Sequence, residues 1–299
     1  MGSIGDLGTE RGRGRGDLDR LSSLDLVRLM NKEDATVAAA VGQALPAIAG
    51  AVDAIAERLR AGGRLVYVGA GSAGRLGVLD ASEWGPTFGA PVGQVVALIA
   101  GGAGAMTRAV EGAEDDEQAG AADVAALGLA PGDAVVGISA SGRTPYVLGA
   151  IRHAAAVGAL TVGISCNAAT DLSRAVAQPI EVDTGPEVIV GSTRLKAGTA
   201  QKLVLNMLST AAMVRLGKTY GDLMVDLQAT NEKLRDRARR IVAQAAGVDD
   251  ARAAAVLAGA GGEVKVAVVM LRCGVPAGRA AALVEAAGGN LRRALDQCG

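Results

Sequence analysis

The sequence predicts an α/β fold: a doubly wound, five-stranded parallel sheet, preceded by an N-terminal helical arm and followed by a C-terminal helical subdomain. Three observations carry this. Five nearly continuous apolar runs, at 64–69, 94–100, 133–138, 159–165 and 178–182, alternate with helical segments. Runs without polar alternation are strands covered on both faces, as in a parallel sheet between helices. Two of these runs pass directly into glycine- and hydroxyl-rich loops. After Gly217 the chain changes character and becomes a series of short, Ala-rich helical segments.

Taken in order, residues 1–20 read as a flexible or ligand-ordered arm containing the tract Arg11-Gly-Arg-Gly-Arg-Gly16. Ser22 or Ser23 caps a short helix ending near Met30. A second helix, from about Thr36 to Leu59, shows apolar residues spaced by three and four (Val37, Val41, Leu45, Ile48, Val52, Ile55) and stops at Gly62-Gly63. Helical segments at 74–82, 115–127 and 145–157 lie between the strands, and a long helix runs from Arg194 to Leu216. Beyond it, breaks at Gly247, Gly261-Gly262, Pro276 and Gly288-Gly289 divide a small helical bundle. The implied organisation is 1–53 for the arm and first helices, 54–217 for the α/β domain and 218–299 for the helical subdomain.

Bulk composition narrows the chemistry. Lys and Arg number 30, Asp and Glu 31, and the formal net charge is −1, so nothing draws the chain toward nucleic acid or a membrane. Aromatic residues make up only 2%, too few for a base-stacking platform. The three cysteines, Cys166, Cys273 and Cys298, are far apart, odd in number and without metal-ligand spacing, and fit a reducing cytoplasm. No signal peptide or transmembrane run is expected. The single histidine, His153, sits in an apolar helical segment and reads as structural. It leaves no His-based triad or His-rich metal site, so proton transfer falls to Glu, Asp, Lys or Tyr.

The two loops are the main functional signal. In Gly69-Ala-Gly-Ser-Ala-Gly-Arg75 and Ile138-Ser-Ala-Ser-Gly-Arg-Thr144 a strand runs through small residues into a helix start. Free backbone N–H groups and the positive end of a helix dipole hold an anion there, glycine lets the backbone approach, and hydroxyls add donors. The binding candidates are Gly71, Ser72, Gly74 and Arg75 in the first loop and Ser139, Ser141, Gly142 and Thr144 in the second. Ser192 and Lys196, at the start of the long helix, offer a third anion site, or else Ser192 or Thr193 is an ordinary helix cap. Glu83 follows the first loop within one or two helical turns, flanked by Trp84 and Phe88. Shielding by those rings would favour the protonated form that a general acid needs; the alternative is a solvated glutamate at a helix end. Glu114 lies in an acidic cluster, which in isolation reads as a solvated face.

In order along the chain, several segments together resemble the N-acetylmuramic acid 6-phosphate etherase family of the sugar isomerase (SIS) domain superfamily. They are Leu21-Ser22 to Asp34, Gly69 to Gly77, Leu79-Asp-Ala-Ser-Glu83, Ala109 to Asp115, Ala140 to Val147, Gly163 to Asn167, Gly191 to Leu208, Met224-Val-Asp226 and Ala229 to Leu234. The resemblance implies a SIS-type sheet. It also implies a carbon–oxygen lyase that removes D-lactate from a phosphorylated amino sugar, with Glu83 as proton donor and Glu114 as the second acid/base residue. One acid and one base suffice for that chemistry, with no metal and no cofactor. A small-molecule sugar phosphate as ligand, a homodimer with sites near the subunit interface, and a cytoplasmic location are implied as well.

Three departures from the family pattern stand out. The first loop usually reads Gly-Thr-Ser-Gly-Arg, and Ala73 here removes one hydroxyl; a lost hydrogen bond to a charged group costs about 1.5–3 kcal/mol. Trp84-Gly85-Pro86 replaces a usual Cys-Pro-Pro, and Gly-Arg repeats stand where Arg-Asn-Pro is usual. The same loops would also serve a sugar-phosphate sensor without turnover, or an aldose–ketose isomerase that leaves the C3 substituent in place.

Overall fold

A computed structural model describes residues 5, 7–12, 14, 16–227 and 232–298. Arg13 and Arg15 of the Gly-Arg tract, and Ala229, Thr230 and Asn231 of the last family-like segment, lie outside the described residues. The chain divides into two compact units. The first comprises Met1–Ala81 and Gly93–Ser209, the second Ser82–Val92 and Thr210–Gly299.

The first unit opens with α1 (Ser23–Asp34), capped by the Ser22 hydroxyl accepting from the Asp25 N–H at 3.2 Å. The expected single helix from Thr36 is two, α2 (Val37–Gln43) and α3 (Leu45–Arg60), separated at Ala44. Pro46, the second residue of α3, lacks the N–H that a continuous helix would need and is favoured at a helix start. The strands are β1 (Leu65–Gly69), β2 (Val95–Ile99), β3 (Ala134–Ile138), β4 (Leu160–Ser165) and β5 (Gln178–Glu181). They form one sheet in the order β2-β1-β3-β4-β5 with every pairing parallel, as the apolar runs predict. Strands β1, β3 and β4 are buried along their whole length.

The helices between the strands are α4 (Gly71–Phe88), α5 (Glu117–Ala126), α6 (Pro145–Val157) and α7 (Asp171–Ala175), with α8 (Lys196–Arg215) following β5. The order reverses direction between β1 and β3, where Gly69 pairs with Ile138. That switch point brings the loops after both strands side by side, which is where open α/β sheets bind ligands. Helices α5 and α6 pack closely enough that an added Cβ at Gly120 would fall on the Tyr146 carbonyl, and one at Gly149 on the Glu117 carbonyl. Gly149→Ala is therefore expected to destabilise the fold by about 1–3 kcal/mol through overpacking, read as a lowered urea midpoint.

The second unit contains a short hairpin, β6 (Thr219–Tyr220) and β7 (Leu223–Met224), and the helices α9 (Glu232–Ala246), α10 (Asp250–Gly259), α11 (Val264–Cys273), α12 (Ala277–Ala286) and α13 (Leu291–Asp296). Its core gathers Val225, Ile241, Val242, Val268, Leu283 and Leu291. Lys265 is 7% exposed and donates to the Asp226 carboxylate and the Gly289 carbonyl, each at 2.5 Å. Burial pushes the Lys265 ammonium below its usual range, and the adjacent Asp226 carboxylate partly offsets this. Asp226 also accepts from Lys218 at 3.2 Å, so this part of the family-like Met224-Val-Asp226 segment holds the hairpin and bundle together. Cys273 and Cys298, 25 residues apart, are joined in a disulfide linking the end of α11 to the residues after α13. This departs from the expectation, drawn from their odd number and wide spacing, of three unpaired cysteines suited to a reducing compartment.

Candidate active site

The site is built from the ends of β1 and β3. Gly71 takes the left-handed region (φ 53°) and turns the chain from β1 into α4. A Cβ at Gly69 would come within 2.6 Å of the Gly74 backbone nitrogen, and one at Gly74 within 2.8 Å of the Gly69 carbonyl oxygen. This glycine pair lets the first turn of α4 lie directly over the strand end. The Gly74 N–H closes the first helical bond to the Ala70 carbonyl at 3.2 Å. The earlier N–H groups of the turn have no intrahelical partner, which makes them available to an anion.

The second loop is held by its own hydroxyls. Ser139, 3% exposed, accepts from the Gly142 N–H at 3.1 Å and shares hydrogen bonds with Ser141 Oγ (3.3 Å) and Thr144 Oγ1 (2.7 Å). Ser141 in turn accepts from the Arg143 N–H at 3.2 Å. Gly142 has φ 65°, and a Cβ there would strike Thr170. Ser139 thus anchors the loop from within, while Ser141 and Thr144 are half-buried at its surface.

Between the two loops lies a cavity of about 410 Å³, a size suited to a small metabolite. Gly71, Ser72, Ser139, Ser141, Thr144 and Glu114 line it, so the structure brings six of the predicted residues together. Glu114 is exposed on a one-turn 3-10 helix, Ala113–Asp115, set up by Gly112 at φ 72°. Gly74 and Gly142 act behind the cavity wall as described. Arg75 donates from Nε to the Ala105 carbonyl at 3.0 Å and borders an adjoining cavity of about 400 Å³ that shares Gly71, Ser72 and Glu114.

Three predicted residues stand elsewhere. Lys196 is 1% exposed, and its ammonium pairs with Glu33 of α1 at 3.2 Å. The start of α8 is capped by neither Ser192 nor Thr193. Buried Glu187 accepts there from the Lys196 and Ala197 N–H groups at 3.0 and 2.9 Å, so those two donors are already taken by a carboxylate of the chain itself. Ser192 is not on the cavity wall, whereas its neighbours Gly191 and Thr193 are. Glu83 does not line the cavity either. Eleven residues of α4, about three turns or 16 Å of rise, separate it from Ser72, more than the one or two turns expected. The expected aromatic shielding is also missing in this chain. Trp84 and Phe88 are buried and meet edge-to-face at 6.5 Å, while Glu83 is exposed.

Sequence reasoning left several cavity residues without a role, Asp115, Arg143 and Gly191 among them, and two more stand on elements away from the hydroxyl loops. Glu10 reaches the wall because the arm is seated: buried Thr9 donates its N–H to Asn167 Oδ1 (3.4 Å), and Asn167 Nδ2 donates to Thr9 Oγ1 (3.1 Å) and the Ala140 carbonyl (2.9 Å). Residues 7–10 of the arm are thus packed against the end of β4, with Thr9 fully buried. The other is Gln201 of α8, within the family-like stretch Gly191 to Leu208. Cys166, beside the same strand end, is fully buried, and burial, followed by the nearby Glu187 and Asp183 carboxylates, pushes its thiol far above the usual range. Both its burial and that shift disfavour the thiolate, the nucleophilic form.

Hydroxyl loops at the switch point of a sheet of this order place the chain in the SIS-domain class. The SIS domain family matches residues 106–211, and the glucokinase regulatory protein N-terminal SIS domain family matches residues 19–155. A phosphoheptose isomerase from Francisella tularensis shares the fold with a TM-score of 0.53 at 23% identity, over 65% of this chain and 100% of that one. Sequence relatives are more specific. An N-acetylmuramic acid 6-phosphate etherase from Rubrobacter xylanophilus is 61% identical over 269 residues, 90% of this chain and 89% of the relative. One from Streptomyces avermitilis is 60% identical over 255 residues, 85% and 82% of the two chains. The chain belongs to the N-acetylmuramic acid 6-phosphate etherase family.

Proposed function

We propose that the protein cleaves the C3 D-lactyl ether of N-acetylmuramic acid 6-phosphate, giving N-acetylglucosamine 6-phosphate and D-lactate, in the recycling and catabolism of peptidoglycan amino sugars. The observation that carries the reading is a 410 Å³ cavity in which Glu114 shares the wall with both hydroxyl loops. Identity of 61% to a relative bearing that activity in its name supports the substrate.

The chemistry follows from the groups present. The phosphate takes N–H donors from the start of α4 and hydroxyl donors from Ser72, Ser141 and Thr144. In the open-chain sugar the C1 aldehyde acidifies the C2 proton. Glu114, as the second acid/base residue, removes that proton, the C3–O bond breaks, and Glu83 as proton donor delivers a proton to the departing lactate oxygen. Water then adds across the resulting C2–C3 double bond, its oxygen at C3 and a proton at C2. The net reaction is a carbon–oxygen lyase step followed by hydration, of the hydro-lyase type (EC 4.2.1), and it draws on no redox partner. Gly74, Arg75, Gly142, Ser139 and the Glu187-capped start of α8 keep the loops in place.

Glu83 reaches the sugar in a homodimer, from the partner of the subunit that supplies Glu114. Supporting this, Ser72, Leu76, Leu79 and Glu83 fall on one stripe of α4, and Leu79 is 53% exposed. Among the described residues no single helix is long and apolar enough to cross a membrane, and we assign the reaction to the cytoplasm, where a phosphorylated sugar is retained. Purified protein incubated with N-acetylmuramic acid 6-phosphate should release stoichiometric D-lactate and N-acetylglucosamine 6-phosphate. Folded protein that releases no lactate would refute the assignment.

A further inference from the structure

Gln201 lies in the second turn of α8, on the cavity wall, and is 1% exposed. Its side-chain Nε2 is buried and has no hydrogen-bond partner among the described residues. Other buried polar groups at this strand end are satisfied: Ser139 within its loop, Asn167 by Thr9 and Ala140, and Glu187 by the start of α8. Among the described residues only Gln94 Oε1 and Thr184 Oγ1 share the condition of Gln201, and neither lines the cavity. A buried donor left unpaired opposes folding, and in a binding cavity the natural resolution is an acceptor brought by the ligand.

We infer that Gln201 reads the 2-acetamido group of the sugar phosphate, its Nε2 donating to the acetamido carbonyl oxygen. This rests on the sugar-phosphate reading of the cavity. The phosphate has its own donors, the N–H groups of α4 and the loop hydroxyls. Gln201 is neutral and buried, Lys196 five residues before it is committed to Glu33, and the cation that lines the cavity, Arg143, stands in the second hydroxyl loop with the phosphate donors, so the acceptor at Gln201 is a neutral group rather than a second anion. An amide carbonyl at C2 is the acceptor that separates N-acetylated sugar phosphates from simple hexose phosphates. Gln201 is thus a specificity residue, apart from the carboxylates that move protons.

The test is calorimetric binding of N-acetylglucosamine 6-phosphate and 2-deoxyglucose 6-phosphate, which has no acceptor at C2. Wild-type protein should bind the first about tenfold more tightly. Gln201→Leu and Gln201→Met should bring that ratio close to one by weakening the first ligand alone, with unfolding midpoints showing that both variants are folded. A preference that survives in the folded variants, or equal weakening of both ligands, would overturn the assignment. Wild-type protein that binds both sugars equally would overturn it too. Binding of neither sugar, together with no lactate release, would remove the sugar-phosphate reading and Gln201's role with it.

Discussion

Glu83→Ala is expected to lower D-lactate release from N-acetylmuramic acid 6-phosphate by about 10²–10⁴-fold, the usual contribution of a positioned general acid or base. Glu114→Gln should fall by a similar factor. Both should bind N-acetylglucosamine 6-phosphate nearly as well as the wild type, since the phosphate donors stay in place. The exposed position of Glu83, three turns along α4 from Ser72, gives the experiment a second arm. Each inactive variant keeps the carboxylate that the other lacks. Mixing them under conditions of subunit exchange should therefore restore up to about a quarter of the activity, because half the dimers are mixed and each holds one intact site. Glu83→Ala protein with activity within tenfold of wild type would exclude Glu83 as the proton donor. Inactive variants that exchange subunits without recovery would exclude a site shared between copies.

Lys196→Met is expected to destabilise the protein by about 3–5 kcal/mol, because it removes the buried cation that faces the buried Glu33 carboxylate. The pair is closed from solvent, with the Lys196 side chain 2% and the Glu33 side chain 9% exposed. It joins α1 to the first turn of α8, 163 residues apart in sequence. Replacing both partners, as Glu33→Leu with Lys196→Met, should recover part of the loss, since apolar groups of similar size carry no desolvation penalty. Urea unfolding of the two singles and the double measures the coupling. A Lys196→Met variant as stable as wild type, but weakened toward sugar phosphates, would return Lys196 to the binding site.

The contrast between Glu83 and Lys196 shows what a linear sequence conveys here. The five strands were legible because each is an apolar run that the fold covers on both faces. Helix α6 was legible because Pro145 and Gly158 bound it, one fixing φ at the start and the other accepting the left-handed region (φ 87°) just past its end. Elsewhere the local signals misled. Ala44 carries no breaker signal of its own, and the helix break there depends on Pro46 two residues on. Helix α4 continues through Pro86 to Phe88, beyond the expected stop at 82, and so the spacing from Ser72 to Glu83 was underestimated. The two-residue strands of the hairpin are too short to show an alternation. The placement of Glu10 depends on the distant Thr9–Asn167 contact, that of Lys196 on Glu33, and that of Gln201 on the cavity it lines, and no local pattern reports those.

The seating of Thr9 on Asn167 bears on how the molecule is made. One wall of the cavity comes from the first dozen residues, yet its clasp lies 158 positions downstream. During translation the leading segment leaves the ribosome long before its dock exists, so the pocket closes only after more than half the chain has been synthesised.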